Sequence, residues 1–359
     1  MFLKQLEIKN IRSISTYENE FSKGVNLIYG KNGVGKTTIL EAIHTLSVSK
    51  SFRSGYRKNI QKTNTEYMSI VGQISGKKIK RITYRKKDQQ YKIKINETEI
   101  KKLSDFIGKF PSIVLSPEDI DIVSGGNSAR LTYVNKILSI SNKEYLETLS
   151  RFNKIIKLRN KCLVGDKPYN EIIVWDEQLG PLALKIWEQR EAFFMQFNHE
   201  FMLLWEKVMP SEEATVQYKT PNNKDKNDLI SNLLSRLDKD KLRGQTGAGP
   251  HRDKINFFFG DIDIKNQASQ GEKKIFLVVL KIAEAKYLHQ KTNQKPVLLL
   301  DDLFAKLDRS RGKKILQLID SEYQTFITTT DNSVESYFDD FEKVNFIKLE
   351  KKKQLCSVA

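Results

Sequence analysis

The sequence predicts an α/β fold in which a mixed β-sheet head is interrupted in the chain by an inserted antiparallel helical arm. Three observations predict it. A glycine-rich run, Gly30-Lys31-Asn32-Gly33-Val34-Gly35-Lys36-Thr37, sits between an apolar strand and a helix-spaced segment. A second apolar strand ending in paired acids, Val297-Leu298-Leu299-Leu300-Asp301-Asp302, follows only near the far end. Between the two, the apolar period is helical over residues 130–205, so an insertion separates two lobes of one head. The expected division is 1–125 for the N-terminal lobe, 126–245 for the arm and 246–359 for the C-terminal lobe.

Taken in order, Leu3, Leu6, Ile8 and Ile11 carry the first strand pattern, and a hairpin leads to Val25-Asn26-Leu27-Ile28-Tyr29 after Gly24. Ile39, Leu40, Ala42, Ile43 and Leu46 keep helical spacing. Over residues 67–100 the period becomes two, giving three short strands with turns at Ser75-Gly76 and Asp88-Gln89. Lys77, Lys78, Lys80, Arg81, Arg85, Lys86 and Lys87 crowd this region, which reads as a solvated face or as a phosphate contact. Ile113-Val114-Leu115 is a buried strand stopped by Ser116-Pro117. Arm helices over 145–163 and 175–209 reverse at Gly165-Asp166-Lys167 and Pro168. Leu182, Ile186, Phe193, Phe197, Phe201 and Leu204 share one helix face, for packing between the helices or for a partner groove. Polar residues 221–228 read as a loop. Then come a strand at 255–259, a turn at Gly260-Asp261, a helix from Ser269, the strand Val297–Leu300, a helix at 311–319 and a last strand at 326–329.

Lys and Arg number 61 against 44 Asp and Glu, a formal charge of +17 that suits a polyanion but also fits a solvated lysine-rich surface. At 39% hydrophobic and 10% aromatic residues the chain can bury a core, which excludes global disorder. Two cysteines, Cys162 and Cys356, supply neither a disulfide framework nor a cysteine zinc site. No apolar run spans a bilayer and MFLKQLEIKN alternates, so a cytoplasmic protein with no membrane partner is expected.

The first run fits G-x-x-x-x-G-K-[ST] in full. Glycines let backbone N–H groups approach phosphate oxygens, and the helix behind them aims its N-terminal dipole at the same oxygens. Lys36 then reaches the β- and γ-phosphates, and Thr37 joins a Mg²⁺ shell. Asp301, at the carboxyl end of a central strand, holds Mg²⁺ through water, and Asp302 orients the attacking water. Lys36 and Asp302 are therefore the candidate catalytic residues, with Thr37 and Asp301 at the metal. Ser269-Gln270-Gly271-Glu272 reads both as a capping box and as a signature loop that donates to the γ-phosphate of nucleotide on a second subunit. Gly247-Ala248-Gly249-Pro250-His251-Arg252-Asp253 combines a tight turn with a cation and an acid/base candidate; structural and DNA-facing readings compete with a catalytic one.

These stretches, with Lys50-Ser51-Phe52-Arg53, Ser116-Pro117-Glu118-Asp119 and the run from Leu299 to Asp308, resemble the RecF family of bacterial recombination and gap-repair ATPases. The resemblance covers essentially the whole chain. It implies an ATPase head of the ABC/SMC type, ATP and Mg²⁺ as cofactors, and weak, DNA-stimulated hydrolysis. It also implies an ATP-dependent homodimer that binds duplex DNA and single/double-strand junctions, and that works with RecO and RecR to place RecA on single strands. Transferred residue by residue, Asn32, Gly33, Val34, Gly35, Lys36, Thr37 and Thr38 bind phosphate, and Ser269, Gln270 and Gly271 form the signature. Asp301 and Asp302 complete the Mg²⁺ and water site, and Thr330 stands where transporter ATPases place a switch histidine.

Two stretches depart from the family pattern. Gly125-Gly126-Asn127-Ser128-Ala129-Arg130-Leu131 lacks the usual proline and second arginine, and Ala305-Lys306-Leu307-Asp308 carries Lys306 where Glu is usual. Three other classes compete: a transporter ATPase subunit, a nuclease-linked ATPase, and a constitutive DNA binder with a structural nucleotide site. The first would need a membrane partner, and the second an acidic two-metal cluster beyond Asp301-Asp302.

Overall fold

In the computed structural model the described residues are 1–53, 60–88, 90–220, 225–303, 309–319, 323–330, 338 and 344–350. They belong to two units, Met1–Ile120 with Gln270–Ala359, and Asp121–Ser269. The first unit opens with β1 (Phe2–Ile11), β2 (Ile14–Glu20), β3 (Val25–Tyr29), α1 (Lys36–Val48), β4 (Tyr67–Ser75), β5 (Arg81–Lys87), β6 (Gln90–Ile95), β7 (Thr98–Glu99) and β8 (Ser112–Leu115). The second unit begins within α2 (Ile120–Ser124) and continues through α3 (Asn127–Ser141), α4 (Lys143–Val164), α5 (Tyr169–Val208) and β9 (Ala214–Lys219). It is completed by α6 (Lys226–Ser235), α7 (Leu237–Arg243), β10 (Lys254–Phe259), β11 (Ile262–Asp263) and α8 (Ile264–Gln267). The chain then returns to the first unit with α9 (Gln270–Thr292), β12 (Val297–Leu300), α10 (Arg309–Leu318), β13 (Thr325–Thr329) and β14 (Val344–Lys348).

Antiparallel and parallel strands occupy separate sheets in the first unit. The parallel sheet runs β14-β3-β13-β12-β8, and β3, β13, β12 and β8 are buried almost along their whole length because both faces are covered, while β14 is half-exposed at one edge. N- and C-terminal strands interleave in this order, so neither half of the chain completes the sheet alone. The antiparallel sheet runs β2-β1-β4-β5-β6-β7. Its inner face, with Leu6, Ile8, Ile70, Ile82, Tyr84 and Ile93, packs in one core with Ile39, Leu40, Ile43 and Leu46 of α1. Leu3 and Leu6, three apart in an alternating strand, both reach that core because β1 shifts register against β4 between Leu3 and Gln5. Gly72 lets α1 approach: a Cβ there would lie 2.6 Å from Leu46 Cδ1.

In the second unit α4 and α5 are antiparallel, as expected from the reversal at Gly165: Tyr145 meets Arg190 and Arg159 meets Asp176. Leu182, Ile186, Phe193, Phe197, Phe201 and Leu204 are all buried, which makes their stripe core packing. Two corrections to the sequence reading follow. Residues 226–228, expected in a loop, open α6, because the Asp225 carboxylate accepts from the Asn227 N–H and caps the helix; 221–224 lie outside the described residues. The expected boundary at 245/246 falls inside the second unit, because β10 pairs antiparallel with β9 from Lys254↔Lys219 to Phe259↔Ala214.

A buried polar network ties these elements together. The Asp253 carboxylate accepts from Trp187 Nε1 (3.0 and 3.1 Å), Arg190 Nη1 (2.7 Å) and the Tyr218 hydroxyl. Arg190 also donates to the Pro250 carbonyl at 2.6 Å and to Asn135 Oδ1 at 2.9 Å. Burial pushes the Asp253 pKa up, while Tyr218, Arg190 and Trp187 draw it down. Removing one member strands the others without water. Arg190→Ala is therefore expected to cost the second unit about 3–5 kcal/mol, read as a lowered urea midpoint; a loss below about 1 kcal/mol would show the network to be dispensable.

Candidate functional site

β3 ends at Tyr29, and the chain turns through six residues into α1. The turn requires positive φ at Gly30 (149°), Gly33 (78°) and Gly35 (106°). A Cβ on Gly30 would also collide with the Leu349 carbonyl oxygen. No side chain caps the N-terminus of α1, so its positive end can receive an anion. The Lys36 ammonium folds back across the loop and donates to the Gly30 carbonyl at 2.7 Å and the Lys31 carbonyl at 3.0 Å. Its burial lowers its pKa, against the pull of Asp301 and Asp302.

The two halves of the predicted site meet. Thr37 Oγ1 donates to Asp301 Oδ1 at 2.9 Å, joining residues 264 positions apart. Thr328, at the end of β13, donates its hydroxyl to the same oxygen at 2.6 Å and accepts from the Asp302 N–H at 3.0 Å. That second bond holds Asp302 in the left-handed region at φ 52°. The Asp301 N–H donates to the Leu115 carbonyl at 2.8 Å, carrying the β12–β8 ladder to its end. Burial raises the Asp301 pKa, opposed by the Thr328 and Thr37 hydroxyls and reinforced by the Asp302 charge.

Around these groups lies a cleft of about 400 Å³, into which Asn32, Gly33, Gly35, Lys36, Thr37, Thr38, Asp301, Asp302 and Thr330 all fall. Arg12, Ser13, Arg53, Pro117, Thr328 and Thr329 line it as well. Arg12 grips Glu41 in α1 with two bonds, Nε at 3.0 Å and Nη2 at 2.7 Å. Ser51 donates to the same carboxylate and accepts from the Arg53 N–H at 3.0 Å, while Phe52 packs edge-on against His44. The signal for Arg12 was Glu41 itself, an acid among Ile39, Leu40, Ala42 and Ile43 that is fully buried and needs a cation. Thr328 gives no such signal, since strand threonines are ordinary.

Gln270 and Gly271 open α9 directly after Ser269 and are not among the residues lining this cleft. Within the second unit, His251 Nε2 lies 2.9 Å from the Thr246 carbonyl and its ring packs against Phe152. Burial pushes its pKa down to about 4, so the ring is neutral near pH 7 and donates from Nε2. Arg252 also donates to Thr246, from Nε at 3.0 Å and Nη2 at 2.8 Å, which makes this loop a structural clasp. Arg130, kept where its neighbour departs from the family pattern, donates to the carbonyls of Ile122, Val123 and Ile255 and stacks over Phe257. Lys306 lies outside the described residues. Among the described residues no group of three or more His, Cys, Asp or Glu could hold a metal ion, so any cation at Asp301 would take further ligands from hydroxyl, water or phosphate oxygens. No helix among them is long and apolar enough to cross a membrane.

The family model for the RecF/RecN/SMC N-terminal domain matches residues 2–353. The DNA replication and repair protein RecF of Bacteroides fragilis is 32% identical over 92% of this chain and 91% of its own length. RecF of Leptospira interrogans serogroup Icterohaemorrhagiae serovar Lai is 32% identical over 92% of each chain. Among solved structures, the recombination mediator protein RecF with ATPrS, from the RecFOR pathway, aligns with a TM-score of 0.84 at 29% identity, covering 92% of this chain and 93% of that one. An Smc head bound to the C-winged helix domain of ScpA aligns with a TM-score of 0.56 at 15% identity, covering 94% of this chain and 92% of that one, and shares the fold.

Thr328→Val keeps shape and removes the hydroxyl, leaving the Asp302 N–H without its partner and Asp301 with one hydroxyl fewer. The expected cost is about 1–3 kcal/mol in chemical denaturation. Thr328→Ser should recover most of it, and a valine variant as stable as the parent would refute the bridge.

Proposed function

The chain belongs to the RecF family within the RecF/RecN/SMC N-terminal domain group, and from that premise we propose that it is an ATP-switched DNA-binding protein of replication and recombinational gap repair. The observation that carries this reading is the Thr37–Asp301–Thr328 contact beside Lys36, where a phosphate loop and an acid pair from opposite ends of the chain meet in one cleft.

In this reading the N–H groups of residues 32–38 and the Lys36 ammonium hold the phosphates of ATP. Thr37 and Asp301 offer a hydroxyl and a carboxylate oxygen in contact, a hard-oxygen pair that fits Mg²⁺. When bound, the cation would neutralise charge on the phosphates. Asp302 orients water, and Thr330 adds a hydroxyl at the cleft. Asp302 is one methylene shorter than Glu, which keeps its carboxylate farther from that water and makes hydrolysis slow. Ser269, Gln270 and Gly271 act on nucleotide held by a second copy, so ATP drives a homodimer. The +17 charge supports a DNA partner, both duplex and single/double-strand junctions, and the RecFOR relative supports RecO and RecR as cytoplasmic partners in loading RecA.

Binding to gapped duplex DNA, titrated with salt with and without Mg-ATP, tests the switch. Tighter binding only with Mg-ATP is expected; equal binding in both conditions would leave the nucleotide a structural role. Lys36→Ala is expected to abolish the ATP-dependent dimer in sedimentation, and a dimer that persists with ATP would count against the site. Asp302→Asn should keep ATP and DNA binding while turnover falls roughly 10²-fold; unchanged turnover would remove Asp302 from the chemistry.

A further inference from the structure

We propose that the solvent face of the antiparallel sheet, along β4, β5 and β6, is a seat for the sugar–phosphate backbone of duplex DNA; this rests on the DNA-binding reading above and assigns it a surface.

The strand register builds that face. Its reverse side carries Leu6, Ile8, Ile70, Ile82 and Tyr84 in the core, so the alternate positions point to water. Across the strands Ser69 stands opposite Arg85 and Arg85 opposite Lys92, while Tyr67 stands opposite Lys87 and Thr83 opposite Lys94. Arg81, Arg85 and Lys87 therefore project from one strand on one face, with Lys92 and Lys94 beside them. Same-face positions recur about every 6.7 Å, so the cations form rows rather than one cluster. Beneath them Ser69, Val71 and Thr83 are only 6%, 4% and 8% exposed. Ser69 and Val71 floor a trough of about 310 Å³ lined by Lys9, Arg81, Arg85 and Lys87, with Glu7 the one acid at its β1 side.

The charge on this half is unspent. Arg85, Lys87 and Lys92 make no ion pair among the described residues, and Arg81 and Lys94 share Glu97 only at 3.9 and 3.8 Å. Acids flank this half on both sides: on one, Glu7 borders the trough and faces Glu18, with Glu20 opposite Gln5; on the other, Glu99 of β7 stands opposite Lys94. A polyanion is thus confined to β4–β6. The occupant follows from what is missing. Tyr67 at the rim is the one large, exposed aromatic on this face among the described residues, so an apolar interface core, a membrane anchor and a row of base-stacking rings are all lacking. A flat face with cations in rows and little to stack on suits a duplex backbone read by charge.

The test compares two triple variants of equal charge loss, binding gapped duplex DNA with Mg-ATP across a salt series. Arg85→Gln/Lys87→Gln/Lys92→Gln on the sheet is expected to reduce the salt slope by about 2–3 and the low-salt affinity at least tenfold. Lys154→Gln/Lys157→Gln/Lys161→Gln on α4 should leave the slope in place. Glu7→Gln should tighten binding, a gain that misfolding cannot produce. An unaltered slope in the sheet triple, or equal losses in both triples, would overturn this surface while leaving DNA binding intact. Failure of the parent protein to bind any DNA would remove the DNA reading, and this surface with it.

Discussion

The buried carboxylate of Asp301 is the constraint around which the first unit is organised. A buried carboxylate is costly unless hydrogen-bonded, and Asp301 meets that need with hydroxyls from Thr37 and Thr328. Asp301 follows β12, Thr328 lies in β13 and Thr37 opens the helix after β3, three strands that are neighbours only in the finished parallel sheet, with β13 between β3 and β12. The site therefore exists only when the whole sheet does. Phosphate loop, acid pair and Thr328 are one cooperative object, although the chain makes them far apart.

Buried charge plays a comparable part in the second unit. Arg159 pairs with Asp176 at 2.5 Å and with Asp240 at 3.0 Å, and Arg190 pairs with Asp253 at 2.7 Å, all nearly inaccessible to water. An apolar stripe alone tolerates sliding of α4 along α5. Arg159 with Asp176, and Arg190 with the Tyr145 hydroxyl, join α4 to α5 at fixed heights, and a slip by one turn would break both contacts. The Pro250-His251-Arg252-Asp253 stretch is absorbed in the same way, its histidine kept neutral by burial and its aspartate spent on Trp187, Arg190 and Tyr218.

The two sheets of the first unit divide the labour of shielding and display. The parallel sheet hides both faces of β3, β13, β12 and β8, and the cleft forms at its strand ends. The antiparallel sheet hides one face and turns the other outward, which is why its sequence alternates and why Arg81, Arg85, Lys87, Lys92 and Lys94 share a side, with Lys86 on the opposite one.

The sequence by itself determined what can be read within one segment. The positive-φ glycines of residues 30–35 and the apolar strand closing on Asp301-Asp302 each carry their chemistry in local spacing. The alternation of residues 67–100 and the single apolar face of α5 do so too. Tertiary structure alone decided which segments became neighbours. Neither the grip of Arg12 on Glu41, nor the Thr328 bridge, nor the pairing of β10 with β9 that moves residues 246–269 into the second unit has a signature in spacing. β14 joined β3 unannounced by its own sequence, and α6 began at residues whose polarity reads as loop. The physical reason is common to all of them: partners are chosen by the need to satisfy buried polar groups and sheet edges, and that need arises only once the chain has folded.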